Sequence, residues 1–183
     1  MNMAQNPARN VSALFQLASP TGAFQSELGA APAAWTVAIE YTGGGLNAPT
    51  AIATDQSGNV WVTNSTGSSV SQFDNTGTPS AAFGANGVAL GAAPAGIAID
   101  LSGNAWITTS ADNVLEVNSG GSVVTTLSNN GLNAPTSIAI DGGGNLWVVN
   151  SGSGANTVSG FDSSGNPLTN SPFSGGRSAE HTS

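Results

Sequence analysis

Apolar residues in this chain come in short runs, and the same order of runs and turns appears three times. In its clearest form a run such as Ile138–Ile140 ends in Asp141, and a D-x-x-G-N turn follows. A second run carries a tryptophan, as in Leu146-Trp147-Val148. A polar loop leads to a third run, such as Val158–Asp162 or Val70–Asp74, and a glycine turn leads to a more variable fourth. The units are APTAIATDQSGNVWVTN from Ala48, APAGIAIDLSGNAWITT from Ala93 and APTSIAIDGGGNLWVVN from Ala134. Their starts are 45 and 41 residues apart. The stretch GLNAPT stands before the first unit at Gly45–Thr50 and before the third at Gly131–Thr136. Before the second it has drifted to LGAAPA.

Four short runs per unit, with turn signals every 8–12 residues, predict an all-β array. Gly and Pro at each joint and β-branched runs disfavour helix. A strand with one wet face alternates apolar and polar residues. These runs are continuous, so both of their faces should be covered. A radial array of four-stranded blades does this, and repeats of about 40–45 residues with four strands each are its signature.

The pattern P-x-x-IA followed by AIDxxGNxWVxN resembles the NHL repeat of bacterial β-propellers, in the virginiamycin B lyase-like superfamily, over residues 35–176. The resemblance implies a propeller fold. It also carries an enzymatic precedent, a ring-opening lyase that depends on histidine and a metal. None of the three units supplies such a histidine. No catalytic residue is therefore transferred, and a lyase or hydrolase reading requires catalytic groups outside these blades.

Propellers have typically four to eight blades, so three units predict a partial ring. Trp35–Tyr41 reads as the fourth strand of a preceding blade. Residues Phe173–Gly176 match Tyr41–Gly44 in register, but RSAEHTS follows where another GLNAPT is expected. That tail, residues 177–183, reads as a pattern stopped mid-course by a truncated frame or a boundary, or else as a natural polar terminus. Residues 1–34 are set apart. Asn6 suits an N-cap, Pro7 a first helical turn, and Val11, Leu14, Phe15 and Ala18 share a helical face, which predicts a helix over Pro7–Ala18 and a loop over Thr21–Ala34. An open arc leaves an apolar face bare at each end. A longer ring, a pair of chains self-associating into six blades, or the N-terminal segment folded over one face would each cover it.

Composition narrows the partners. There is no Lys, the basic residues are Arg9 and Arg177, and the net charge is −8. Such a surface repels phosphate backbones, which argues against nucleic acid, and no apolar run approaches the ~20 residues that span a bilayer. There is no cysteine, so thiolate sites are absent. The start MNMAQNPARN lacks secretory-signal features, which taken literally means cytoplasm. Charged residues are only 7% and Ser, Thr, Asn and Gly abound, which favours a secreted, periplasmic or cell-surface protein. The triplets at Asn10 and Asn64 match the glycosylation pattern, one that arises readily by chance here.

Asp55, Asp100 and Asp141 each open a D-x-x-G-N turn. Calcium requires six to eight oxygens, and one carboxylate per loop is better suited to organising the turn. Trp61, Trp106 and Trp147 form either a stacking ladder or blade packing, and their regularity favours packing. The one histidine, His181, lies in the aberrant tail, and Glu40 and Glu116 have no counterparts in other units. No metal, cofactor or catalytic residue is assigned. Binding remains. By strand counting, the loops Ser65–Ser69, Ser110–Asp112 and Ser151–Asn156 share one end with the links Thr42–Asn47, Asn86–Ala92 and Asn129–Asn133. Their candidate residues are Asn47, Asn64, Asn133 and Asn150, with a protein or a polysaccharide as the expected partner.

Overall fold

The computed structural model describes residues 42–175. The expected helix over Pro7–Ala18, the lone strand Trp35–Tyr41, Glu40, Asn10 and the tail from Arg177 lie outside the described residues. Within them stand three antiparallel four-stranded sheets in meander order. The first holds β1 (Pro49–Thr54), β2 (Val60–Asn64), β3 (Ser69–Phe73) and β4 (Val88–Ala89). The second holds β5 (Pro94–Ile99), β6 (Ala105–Thr109), β7 (Asn113–Val117) and β8 (Val123–Leu127). The third holds β9 (Pro135–Ile140), β10 (Leu146–Asn150), β11 (Thr157–Phe161) and β12 (Phe173–Ser174). The link expected over Asn86–Ala92 contains β4, because the pairs Ser69–Ala89 and Val70–Val88 close the first sheet there.

The strands are short because turn chemistry ends each of them. In the turn between β1 and β2, Asp55 Oδ1 accepts the backbone N–H groups of Ser57 and Asn59, both at 2.9 Å. Gly58 takes φ +80°, which the turn requires and a side chain resists. Asp100 and Asp141 repeat this arrangement in the second and third sheets. A second series closes the turns after the third strands, through Asp74, Asn118 and Asp162.

Each sheet has two different faces. One carries the tryptophan of the second strand and a valine of the third, such as Trp61 with Val70 or Trp106 with Val114. The other carries Ile and Val, with Leu or Phe. The Trp face of the first sheet packs against Ile97, Ala105, Ile107 and Val117 of the second. The Trp face of the second packs against Ile138, Leu146, Val148 and Phe161 of the third. Trp61 and Trp106 are buried to 0% and 3% exposure. These are successive blades stacked face to face, the arrangement that the continuous apolar runs require.

The sheets converge at their first strands, β1 on β5 and β5 on β9. Gly96 in β5 permits this approach: a Cβ there would lie 3.0 Å from Ser137 Cα and 3.1 Å from the Thr136 carbonyl. The register shift that begins β5 leaves the Gly96 N–H without a strand partner, and it donates instead to Thr108 Oγ1 at 2.8 Å. Thr63 does the same for Ala51 N in the first blade, at 3.0 Å. Gly96→Val drives methyl groups into backbone rather than into a yielding side chain. It is expected to cost about 1–3 kcal/mol, read as a lower urea midpoint at unchanged slope.

Candidate functional site

The meander divides the described residues into two ends. The Asp and Asn turns lie at one. The inter-blade links and the loops after the second strands lie at the other, as strand counting predicts. Backbone bonds clamp the links to those loops in every blade: Ser65 N to the Ala48 carbonyl at 3.0 Å, Ser110 N to Ala93 at 2.9 Å and Ser151 N to Ala134 at 3.1 Å.

The four candidate asparagines form two equivalent pairs. Asn64 and Asn150 end β2 and β10 and are buried. The Oδ1 of Asn64 accepts the backbone N–H of Asn47 at 3.0 Å, and that of Asn150 accepts the N–H of Asn133 at 3.1 Å. The Nδ2 of Asn64 donates to Ser71 Oγ at 3.0 Å, and that of Asn150 to Thr157 and Ser159 at 3.1 and 2.9 Å. Both amides are thus engaged inside a blade, where they hold the link in place. Asn47 and Asn133 are exposed on the link. Burial also encloses the Asn64 acceptor amide in the folded chain. The middle blade has Ala92 and Thr109 at these positions, and there Thr109 bonds within its own loop, to Asn113 Oδ1 at 2.7 Å.

The paired links carry backbone strain. Ala48 and Ala134 stand at φ +52° and +43°, a region that costs an L residue roughly 1–2 kcal/mol. The Asn clamp and Ser Oγ bonds to the carbonyls of these alanines hold them there. Asp112, on the middle blade's loop, accepts the Ala134 N–H at 2.6 Å and so ties one blade's loop to the next blade's link. Asn130 is a further link residue that the repeat pattern does not single out. Its Nδ2 donates to the Gly160 carbonyl at 2.9 Å and to Ser171 Oγ at 2.8 Å, which fastens the link to the third blade. Asn in a short Gly-flanked link was the available signal, since Asn tolerates the φ of +60° found there.

At the opposite end the Asp turns have no free acceptor directions in the two complete cases. Asp55 Oδ2 accepts Asn59 Nδ2 at 2.8 Å and Trp61 Nε1 at 3.2 Å, beside the two N–H groups on Oδ1. Asp141 has the same four donors from Gly143, Asn145 and Trp147. In the middle blade Asp100 Oδ2 accepts Trp106 Nε1 at 3.0 Å, while Asn104 Nδ2 turns to Glu116 instead. No cluster of three His, Cys, Asp or Glu side chains forms among the described residues.

The carboxyls respond to these donors. Burial pushes that of Asp55 upward, but bonds from the Asn59 amide and Trp61 indole outweigh it and leave it below the usual value. The Asn145 amide, followed by the Trp147 indole, holds Asp141 well below the usual range. The Thr76 hydroxyl lowers Asp74, and the Asn166 amide lowers Asp162.

The sequence matches no protein-family model and no curated protein. Solved structures do resemble it. A catalytically inactive virginiamycin B lyase from Staphylococcus aureus, determined with quinupristin, aligns at 18% identity and a TM-score of 0.54, over 66% of this chain and 40% of that one. Hydrazine synthase of Kuenenia stuttgartiensis aligns at 19% and 0.59, over 73% and 38%. A chain of a nidogen–laminin complex aligns at 20% and 0.50, over 66% and 45%. The chain spans less than half the length of each. At these identities the likeness establishes architecture alone, and the described residues form a partial β-propeller of three blades.

Two outcomes are expected. Asn150→Ala strands the Asn133 N–H and a buried polar pocket, for a loss of about 1–3 kcal/mol; Asn150→Asp, which buries a charge, loses more. Both are checked by urea denaturation. The lowered Asp carboxyls give the acid response its sign: the unfolded chain takes up protons first. Their stabilisation is complete above the unfolded value of about 3.9 and is lost as pH falls through the lower folded values. Thermal melts should therefore hold steady from pH 7 to about 5 and drop below about 4. Asp141→Asn should flatten that drop.

Proposed function

We propose that this chain is a non-catalytic binding or scaffold module of NHL type. It presents neutral polar loops from a rigid propeller to a protein or cell-envelope glycan, in a secreted, periplasmic or cell-surface setting. The observation that carries this reading is the construction of the link end. The backbone of the links is pinned by buried Asn64 and Asn150, while Asn47 and Asn133 themselves are exposed. Pinned loops lose little entropy on binding, which is how a surface of amides and hydroxyls gains useful affinity. The lack of Lys and the low charged fraction support an extracytoplasmic setting. Solved propellers of similar architecture include a chain from a protein–protein complex, which supports a protein partner.

Gly152 offers a clean probe. The Asn133 side chain crosses it so closely that a Cβ there would lie 1.9 Å from Asn133 Oδ1. Gly152→Ala displaces one flexible amide and leaves the blade intact. Screening the chain on glycan and peptide arrays should give binding that survives chelator. Gly152→Ala and Asn47→Ala should each weaken it about tenfold, about 1.4 kcal/mol, with melting temperature nearly unchanged. Binding that disappears with chelator, or that ignores both substitutions, would count against this surface.

A further inference from the structure

The two end faces of the three-blade arc are the two halves of a contact that the chain already makes twice. Trp61 is seated by Ile97, Ala105, Ile107 and Val117, and Trp106 by Ile138, Leu146, Val148 and Phe161. The strand registers place Ile52, Val60, Val62 and Phe73 of the first blade at the same four positions. These four residues line a hollow of about 320 Å³. Ile52 is 68% exposed there, whereas Ile138, its counterpart in the third blade, is 8% exposed. At the other end the third blade offers the matching Trp face. Trp147 is half-buried against Phe173, and Val149 and Phe173 are 45% and 38% exposed.

We propose that the hollow on the first blade receives the Trp147 face of a second copy of this chain, and that two copies close a six-bladed ring. The occupant is a second copy because its Trp face is the surface that these four positions already seat in two places. Rings of typically four to eight blades close; two copies of the three described blades give six, and three copies give nine. The contact is head-to-tail, so closure requires both seams to form at once. The two chains, each of net charge −8, repel one another. Among the described residues the faces that meet at the seam are apolar, so burial holds it. Salt therefore strengthens it by screening. This inference rests on the fold and not on the proposed ligand surface.

The test is sedimentation equilibrium of the full chain between 1 and about 100 µM, in low salt and in about 0.5 M NaCl. A species of twice 17.9 kDa is expected, tighter in salt. Ile52→Asp and Val149→Asp, on opposite faces, should each weaken it at least about 100-fold by burying an unpaired charge, while Ile52→Val leaves it intact. Circular dichroism melts confirm that the variants fold, which exposure of both sites in the single chain favours. A monomer throughout the range overturns the proposal and assigns the hollow to residues within the same chain. Open-ended polymers overturn ring closure. A dimer indifferent to both aspartates places the interface elsewhere.

Discussion

Every blade depends on one contact, a tryptophan on the face of one sheet seated among Ile, Val, Leu and Phe on the next. It is repeated at both internal seams, with Trp61 and Trp106 almost wholly enclosed. An indole is the largest apolar group available, and each buried aromatic removes on the order of 150–250 Å² from water. A four-stranded sheet of strands two to six residues long has too little surface of its own to form a core. Stacking supplies it, and the stability of the array is a sum over such seams.

The indole also has a polar edge, and the fold accommodates it through the turn. In each blade the first Asp of the D-x-x-G-N turn accepts the Nε1 proton of the tryptophan six residues later. The same carboxylate gathers the backbone N–H groups of its turn. One side chain therefore ends a strand, shapes the turn and orients the residue that fills the seam. This accounts for the fixed Asp–Trp spacing better than a ligand does, since the oxygens of Asp55 and Asp141 already have four donors each. At the other end buried Asn64 and Asn150 perform the corresponding task for the links, and hold two alanines in the left-handed region.

The ends of the arc follow from the same constraint. The seam needs two different faces, so a stack of blades is polar and always presents one of each. The first described blade therefore leaves Ile52 in the open, and the third leaves Val149 and Phe173. The hydrogen-bonded loops are indifferent to this, because their partners lie within their own blade or in the adjoining link. Rigid loops and adhesive ends are separate consequences of one stacking rule.

Much of this could be read in the residues themselves. Local chemistry set the strands and turns: Asp and Gly fix a turn wherever they fall at that spacing, and continuous apolar runs require cover on both faces. Trp61 and Trp106 were legible as packing groups for the same reason, whereas Trp147 stands half-buried on the open face of the third blade. The roles of the asparagines were not. Asn47, Asn64, Asn133 and Asn150 look alike in sequence, but 17 residues separate clamp from clamped, and only the closing of a blade buries Asn64 and Asn150 while leaving Asn47 and Asn133 outside. Asn130 was missed because its partners lie 30 and 41 residues away. Gly96 could have been any strand glycine until its neighbour's backbone came within reach. The sequence by itself determined the blade, because a blade is made of short-range bonds. Tertiary structure decided which polar groups face water and which apolar face is left bare, because both depend on what stands beside the blade.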